Sequence, residues 1–147
     1  MTKEILVSVK GLQTQEDDNN TVEVISKGEY YLRNGKHYVM YEEVLEDNGE
    51  PTKTVIKFDD TCMEVTRKGP VNVHMVFEIN KKNVTYYYTP MGSLLIGIEA
   101  SDIQVEEREE YLSARVNYSL DMNYEHVAEC EISLEVRPRH TKEFKLV

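Results

Sequence analysis

From residue 71 to residue 79 every second side chain is apolar: Val71, Val73, Met75, Phe77 and Ile79 alternate with Asn72, His74, Val76 and Glu78, which are mostly polar. A period of two belongs to a β-strand with one buried and one wetted face. On a helix the same residues would scatter round the circumference. Two later segments repeat the pattern. Leu112, Ala114, Val116, Tyr118 and Leu120 form one apolar row, and Ala128, Cys130, Ile132, Leu134 and Val136 form another. Strands that bury one face and wet the other belong to antiparallel sheets, so the chain is constrained to an all-β fold.

Turn chemistry cuts the runs at short intervals. Asn34-Gly35 is the strongest hairpin signal, because both residues tolerate the positive φ of a type I′ turn. Asp47-Asn48-Gly49-Glu50-Pro51, Asp59-Asp60, Lys68-Gly69-Pro70, Asn80 to Asn83 and Pro90 to Ser93 supply the others. The spacing predicts nine or ten strands, at about 3–12, 21–33, 36–46, 52–59, 61–68, 71–80, 84–90, 94–105, 110–121 and 127–137. One short helical turn near Glu106 to Leu112 is the only alternative to strand and loop. The acidic stretches Glu16 to Asn20 and Glu106 to Glu110 read as solvated loops or strand ends. With no repeat and no linker, residues 1–147 form a single domain. Consecutive hairpins favour an up-and-down barrel of about 8–10 strands, since closure removes exposed sheet edges.

Charge narrows the partners. Seventeen basic residues stand against 27 acidic ones, a formal net charge of −10, with no basic run to offset it. Phosphate backbones and anionic membrane surfaces are both repelled by such a surface. The longest apolar stretch, around Leu94 to Ile98, is far too short to cross a bilayer as a helix. The first residues alternate without a signal-peptide core, which predicts a cytoplasmic protein whose two cysteines, Cys62 and Cys130, are free thiols.

No catalytic constellation can be assembled. His37, His74, His126 and His140 fall in separate strands or turns, with His74 and His126 expected on the surface. No metal-ligand spacing occurs; Asp17-Asp18-Asn19-Asn20 lacks the twelve-residue pattern of a calcium loop. Adjacent acids such as Glu42-Glu43 point to opposite faces of a strand and do not pair by themselves. Catalytic residues, metals and cofactors are therefore all expected to be absent.

Two features invite a binding role. In the strand from Thr61 to Lys68 the apolar phase Met63, Val65 continues into Arg67, which turns an arginine inward near a strand end. On the strand 36–46 either Glu42 or Glu43 shares the inward face. Arg67 either sits at the rim with its head in water, or pairs with a buried glutamate, or holds a ligand's acid group. The ten tyrosines raise a parallel choice between packing and pocket lining. Tyr86 and Tyr88, in phase with Val84, are expected inside with Met75 and Phe77, while Val76 and Tyr87 are expected outside.

Several short motifs bear on family. Gly28-Glu29-Tyr30-Tyr31, Gly35-Lys36-His37-Tyr38, Tyr41-Glu42-Glu43, Thr54 to Lys57, Arg67 to Val71 with Met75-Val76-Phe77, and Tyr88 to Gly92 together resemble the YwiB-like proteins, an uncharacterised bacterial family. The match runs from about residue 5 to 136, carried by the order and spacing of loose motifs. The resemblance implies a calycin-like (lipocalin-like) closed β-barrel, and it brings no activity and no catalytic residues. The chain lacks tryptophan, and with it the Gly-x-Trp signature of true lipocalins, so no lipocalin ligand follows. The resulting expectation is a non-catalytic barrel that binds a small apolar or amphipathic molecule through Arg67, Met75, Phe77, Tyr86 and Tyr88. The alternative is a surface module that docks onto another protein, as a monomer or homodimer.

Overall fold

The structure, a computed structural model, describes residues 3–11, 23–43, 49–70 and 72–139. Among these residues there are ten strands and no helix. In chain order they are β1 (Glu4–Lys10), β2 (Glu23–Arg33), β3 (Lys36–Glu43), β4 (Thr52–Phe58) and β5 (Cys62–Lys68). The second half contributes β6 (Val73–Glu78), β7 (Lys82–Thr89), β8 (Gly92–Arg108), β9 (Tyr111–Met122) and β10 (Glu125–Pro138). The segment near Glu106 to Leu112 is not helical. There β8 runs to Arg108, a two-residue turn follows with Glu110 at φ 59°, and β9 starts at Tyr111. Asn34 and Gly35 take φ of 54° and 75°, the paired positive values a type I′ hairpin demands. The expectations for Glu16 to Asn20, Asp17 to Asn20 as a turn, Val71 and His140 lie outside the described residues.

One sheet holds all ten strands in the order β6-β5-β4-β3-β2-β1-β10-β9-β8-β7. The order closes on itself because β6 and β7, at its two ends, are consecutive in sequence. That last junction is incomplete. Asn72 and Tyr88 exchange both backbone hydrogen bonds at 2.9 Å, and Lys81 N–H reaches Glu78 O at 3.3 Å at the other end. Counting along the strands, the two bridges differ by one residue in register, and no ladder pairs β6 with β7 between them among the described residues. The Asn83 side chain fills part of the gap by donating to Val76 O at 3.1 Å, and Asn80 N–H ties the turn to Ala100 O at 2.9 Å. The result is a nearly closed barrel.

Register stacks the inward side chains of β3 to β6 into rows. His37, Phe58, Met63 and Phe77 form the row nearest the Asn34-Gly35 hairpin; Val39, Ile56, Val65 and Met75 form the next; Tyr41, Thr54, Arg67 and Val73 form the third. From the far wall Ile5, Val7, Val116, Ile132 and Leu134 fill the middle, all fully buried. Each such side chain contributes about 1.5–3 kcal/mol by leaving water. β8 keeps its apolar face inward along 17 residues only because a bulge between Ala100 and Asp102 shifts its phase. Before it Ile96, Ile98 and Ala100 point inward, and after it Ile103 does.

Candidate functional site

The third row is where the interior turns polar. β5 carries its apolar phase one residue too far, and Arg67 ends 1% exposed with its Nη2 donating to Glu43 Oε1 at 2.8 Å. Glu43, in phase with Val39 and Tyr41, is the inward member of the Glu42-Glu43 pair, and its side chain is 8% exposed. The rim placement is thereby excluded: the guanidinium lies inside the barrel and its charge is matched there. Around it the Arg67 Nε, the Tyr41 hydroxyl and the Thr52 and Thr54 hydroxyls are all buried and have no hydrogen-bond partner among the described residues. Burial, and then the Glu43 charge, push the Tyr41 phenol well above its ordinary range. Thr54, opposite it in register, offsets that rise only slightly and stands outside hydrogen-bond geometry.

At the opposite end, the short turn of the β2–β3 hairpin sets Tyr30 opposite Val39 and so diagonal to His37. The Tyr30 hydroxyl lies 2.7 Å from His37 Nδ1, and the imidazole packs on Phe58 with ring centroids 5.0 Å apart. On its other side His37 Nε2 lies 3.8 Å from Glu107 Oε1, which the long β8 carries past the end of β7. Above this chain of groups an open cleft of about 950 Å³ is lined by Lys3, Tyr30, Tyr31, Glu107, Arg108 and Leu112, among others. Burial and then the Glu107 charge raise the Tyr30 phenol, so it keeps its proton at neutral pH.

The sequence-predicted site residues divide. Arg67, Met75 and Phe77 are buried inside, as the alternation requires. Tyr86 and Tyr88 are not: they are 51% and 52% exposed, on the outer face with Val84. The inward residues of β7 are Asn83, Thr85 and Tyr87, because pairing with β8 sets Asn83 opposite Ile98 and Thr85 opposite Ile96, both buried. Tyr87, expected outside, packs against the core. His74 and His126 are exposed, as expected. Cys62 and Cys130 are not joined in a disulfide. Among the described residues no cluster of His, Cys, Asp and Glu has the arrangement of a metal site, and no helix is long and apolar enough to cross a membrane.

The fold agrees with that of a known protein. The model of the domain of unknown function DUF1934 matches residues 7–134 of the chain. The chain belongs to this family. A relative, the uncharacterized beta-barrel protein YwiB of Bacillus subtilis (strain 168), is 26% identical over 125 residues, covering 84% of this chain and 85% of that protein. The crystal structure of the Bacillus subtilis YwiB protein superposes with a TM-score of 0.72 at 23% identity, over 94% of this chain and 93% of that one. The YwiB-like resemblance and the barrel are thus both established. DUF1934 brings no activity, and the relative's name indicates none.

Proposed function

We propose that this DUF1934 protein is a non-catalytic binding barrel that takes a small amphipathic molecule by its polar end in the Arg67 row. One observation carries the reading: four buried polar atoms with no partner among the described residues gather in one place, on Arg67, Tyr41, Thr52 and Thr54. Each buried group left unmatched costs about 1–3 kcal/mol, and native chains scatter few of them. A ligand group that accepts hydrogen bonds would satisfy the Arg67 Nε–H and the three hydroxyls together, beside a guanidinium already neutralised by Glu43. Phe58, Ile56, Val65 and Phe77 fill the interior beyond, so the ligand's apolar body is short. Met75, unbranched and flexible, is the neighbour best able to make room. Two cysteines outside any disulfide and an acidic composition fit a cytoplasmic setting.

Native mass spectrometry of protein purified from its own host tests this, with Arg67→Met purified in parallel. An adduct on the natural protein that is absent from Arg67→Met supports the reading. A crystal structure of the host-purified protein with only water on the four atoms overturns it.

Docking through the outer surface is the second reading, favoured by the stripe of Val84, Tyr86 and Tyr88, each about half exposed. Light scattering that finds a dimer dissociated by Tyr86→Ser with Tyr88→Ser would support it.

A further inference from the structure

The four unmatched atoms of the Arg67 row restrict the head group they can receive. Tyr41, Thr54 and Arg67 stand side by side in register on β3, β4 and β5, and Thr52 lies two residues from Thr54 on the same inward face of β4. Two residues of strand separate the threonines by about 6.5 Å, a gap that one small planar group with a hydrogen bond of about 3 Å on either side can span. Arg67 Nε carries a hydrogen and no lone pair, so whatever meets it must accept. The threonine hydroxyls can both donate and accept. So can the Tyr41 phenol, which burial, and then the Glu43 charge, hold above its usual range and therefore protonated at neutral pH.

Charge divides the candidates further. Arg67 donates through Nη2 to Glu43 Oε1 at 2.8 Å, and with side chains 1% and 8% exposed the two form a buried unit of no net charge. Among the described residues the other buried basic side chain is His37, at the opposite end of the barrel. Lys53 and Lys68, opposite each other one step along β4 and β5, are exposed, and Lys53 lies 3.9 Å from Glu42 on the outside. A carboxylate entering the row would therefore leave water with no spare cation to offset the loss. An ammonium has donors only, so it would leave the Nε–H unmet and set a second cation beside Arg67. A primary carboxamide has neither fault. Its oxygen accepts from the Nε–H and from one hydroxyl, and its NH₂ donates to the other two hydroxyl oxygens, four bonds for four atoms.

We propose that the Arg67 row recognises an uncharged carboxamide head group, and that Glu43 sets this preference by neutralising Arg67. The preference presupposes the binding role proposed above and adds the class of head group to it. Glu43 acts through Arg67, as a positioning residue.

The full chain, labelled with ¹⁵N at arginine, is titrated at pH 7 with butyramide, butyrate and n-butylammonium in separate experiments. The signal followed is the Arg67 Nε–H resonance, identified by its loss in Arg67→Met. Butyramide is expected to shift it saturably and to bind at least about tenfold more tightly than either ion. In Glu43→Gln the side-chain oxygen still accepts from Arg67, but the guanidinium charge is no longer matched. Butyrate should then gain at least about tenfold and overtake butyramide. The comparison on the natural protein decides the head-group class even where Glu43→Gln folds poorly. Either ion binding the natural protein as tightly as butyramide overturns the carboxamide preference and leaves the binding role standing. A folded Glu43→Gln that still prefers butyramide by the same factor overturns the part given to Glu43. No saturable shift with any of the three probes overturns the preference and the binding role together.

Discussion

Replacing Arg67 with methionine isolates the electrostatics of the barrel interior. The substitution keeps an unbranched apolar stem in the third row but leaves Glu43, 8% exposed, with a charge and no partner. Removing one member of a buried ion pair costs about 3–5 kcal/mol, mostly because the survivor remains desolvated. At about 2.1 cal/mol/K of unfolding entropy per residue, a chain of 147 residues converts that loss into a fall in Tm of about 10–15 °C. Replacing both members, as Arg67→Met with Glu43→Leu, removes both charges and should recover most of the loss. Urea and thermal melts of the natural protein, both single variants and the double variant give the coupling directly. A loss below about 1 kcal/mol for Arg67→Met would refute the reasoning, as would a double variant no better than the worse single one.

Glycine substitutions should separate two positions that look alike in sequence. A Cβ on Gly28 would lie 2.5 Å from Met40 O, so Gly28→Ala must part β2 from β3 and should cost more than about 2 kcal/mol, whereas Gly97→Ala, with nothing nearer than 3.4 Å, should be nearly neutral in urea melts. Asp59 sits in the β4–β5 turn, where it accepts from Lys36 Nζ at 2.9 Å and from the backbone N–H groups of Thr61 and Cys62. Lys36 above all, with the Thr61 bonds, holds its carboxyl far below the ordinary range. The stabilisation is therefore complete above about pH 4 and lost as pH falls below it. Asp59→Ala should cost about 1–2 kcal/mol at pH 7 and about half of that at pH 2.5; a gap that widens in acid would contradict this. Burial holds the Tyr41 and Tyr118 phenols above their usual range, so in an ultraviolet titration at pH 11 the native protein should show the same ionised amplitude with Tyr41→Phe or Tyr118→Phe as without.

The strands were legible because period-two alternation and turn chemistry are local properties. Asn34-Gly35, Asp59-Asp60 and Pro90-Met91 each fix a turn without reference to the rest of the chain. Side-chain facing was harder where both faces of a strand carry similar residues. On β7 the row Val84, Tyr86, Tyr88 is the more apolar one, yet it lies outside, because the partner strand must bury Ile96 and Ile98. Counting back from the two-residue turn at Pro90-Met91 sets Asn83 and Thr85 opposite those isoleucines, so the correct phase was available in the register. The Tyr30–His37 contact was available likewise, from the hairpin that makes them diagonal neighbours. Glu107 was not, since its position depends on the length of β8 and on the phase shift beyond Ala100. The choice between Glu42 and Glu43 depended on how β3 meets β4, which no local pattern specifies.

The uneven closure between β6 and β7 has a consequence for assembly. The wall is two meanders, residues up to Glu78 and residues from Lys82 onward, clasped along β1 and β10 by a continuous ladder from Ile5 opposite Pro138 to Lys10 opposite Ser133. The second line of contact holds little more than the bridges at its two ends. Cleaving the peptide at Asn80 would therefore sever the chain where the wall is already weakest, and the halves should find each other again through the β1–β10 zipper. A split barrel that reassembles from its two pieces is what this topology leads one to expect.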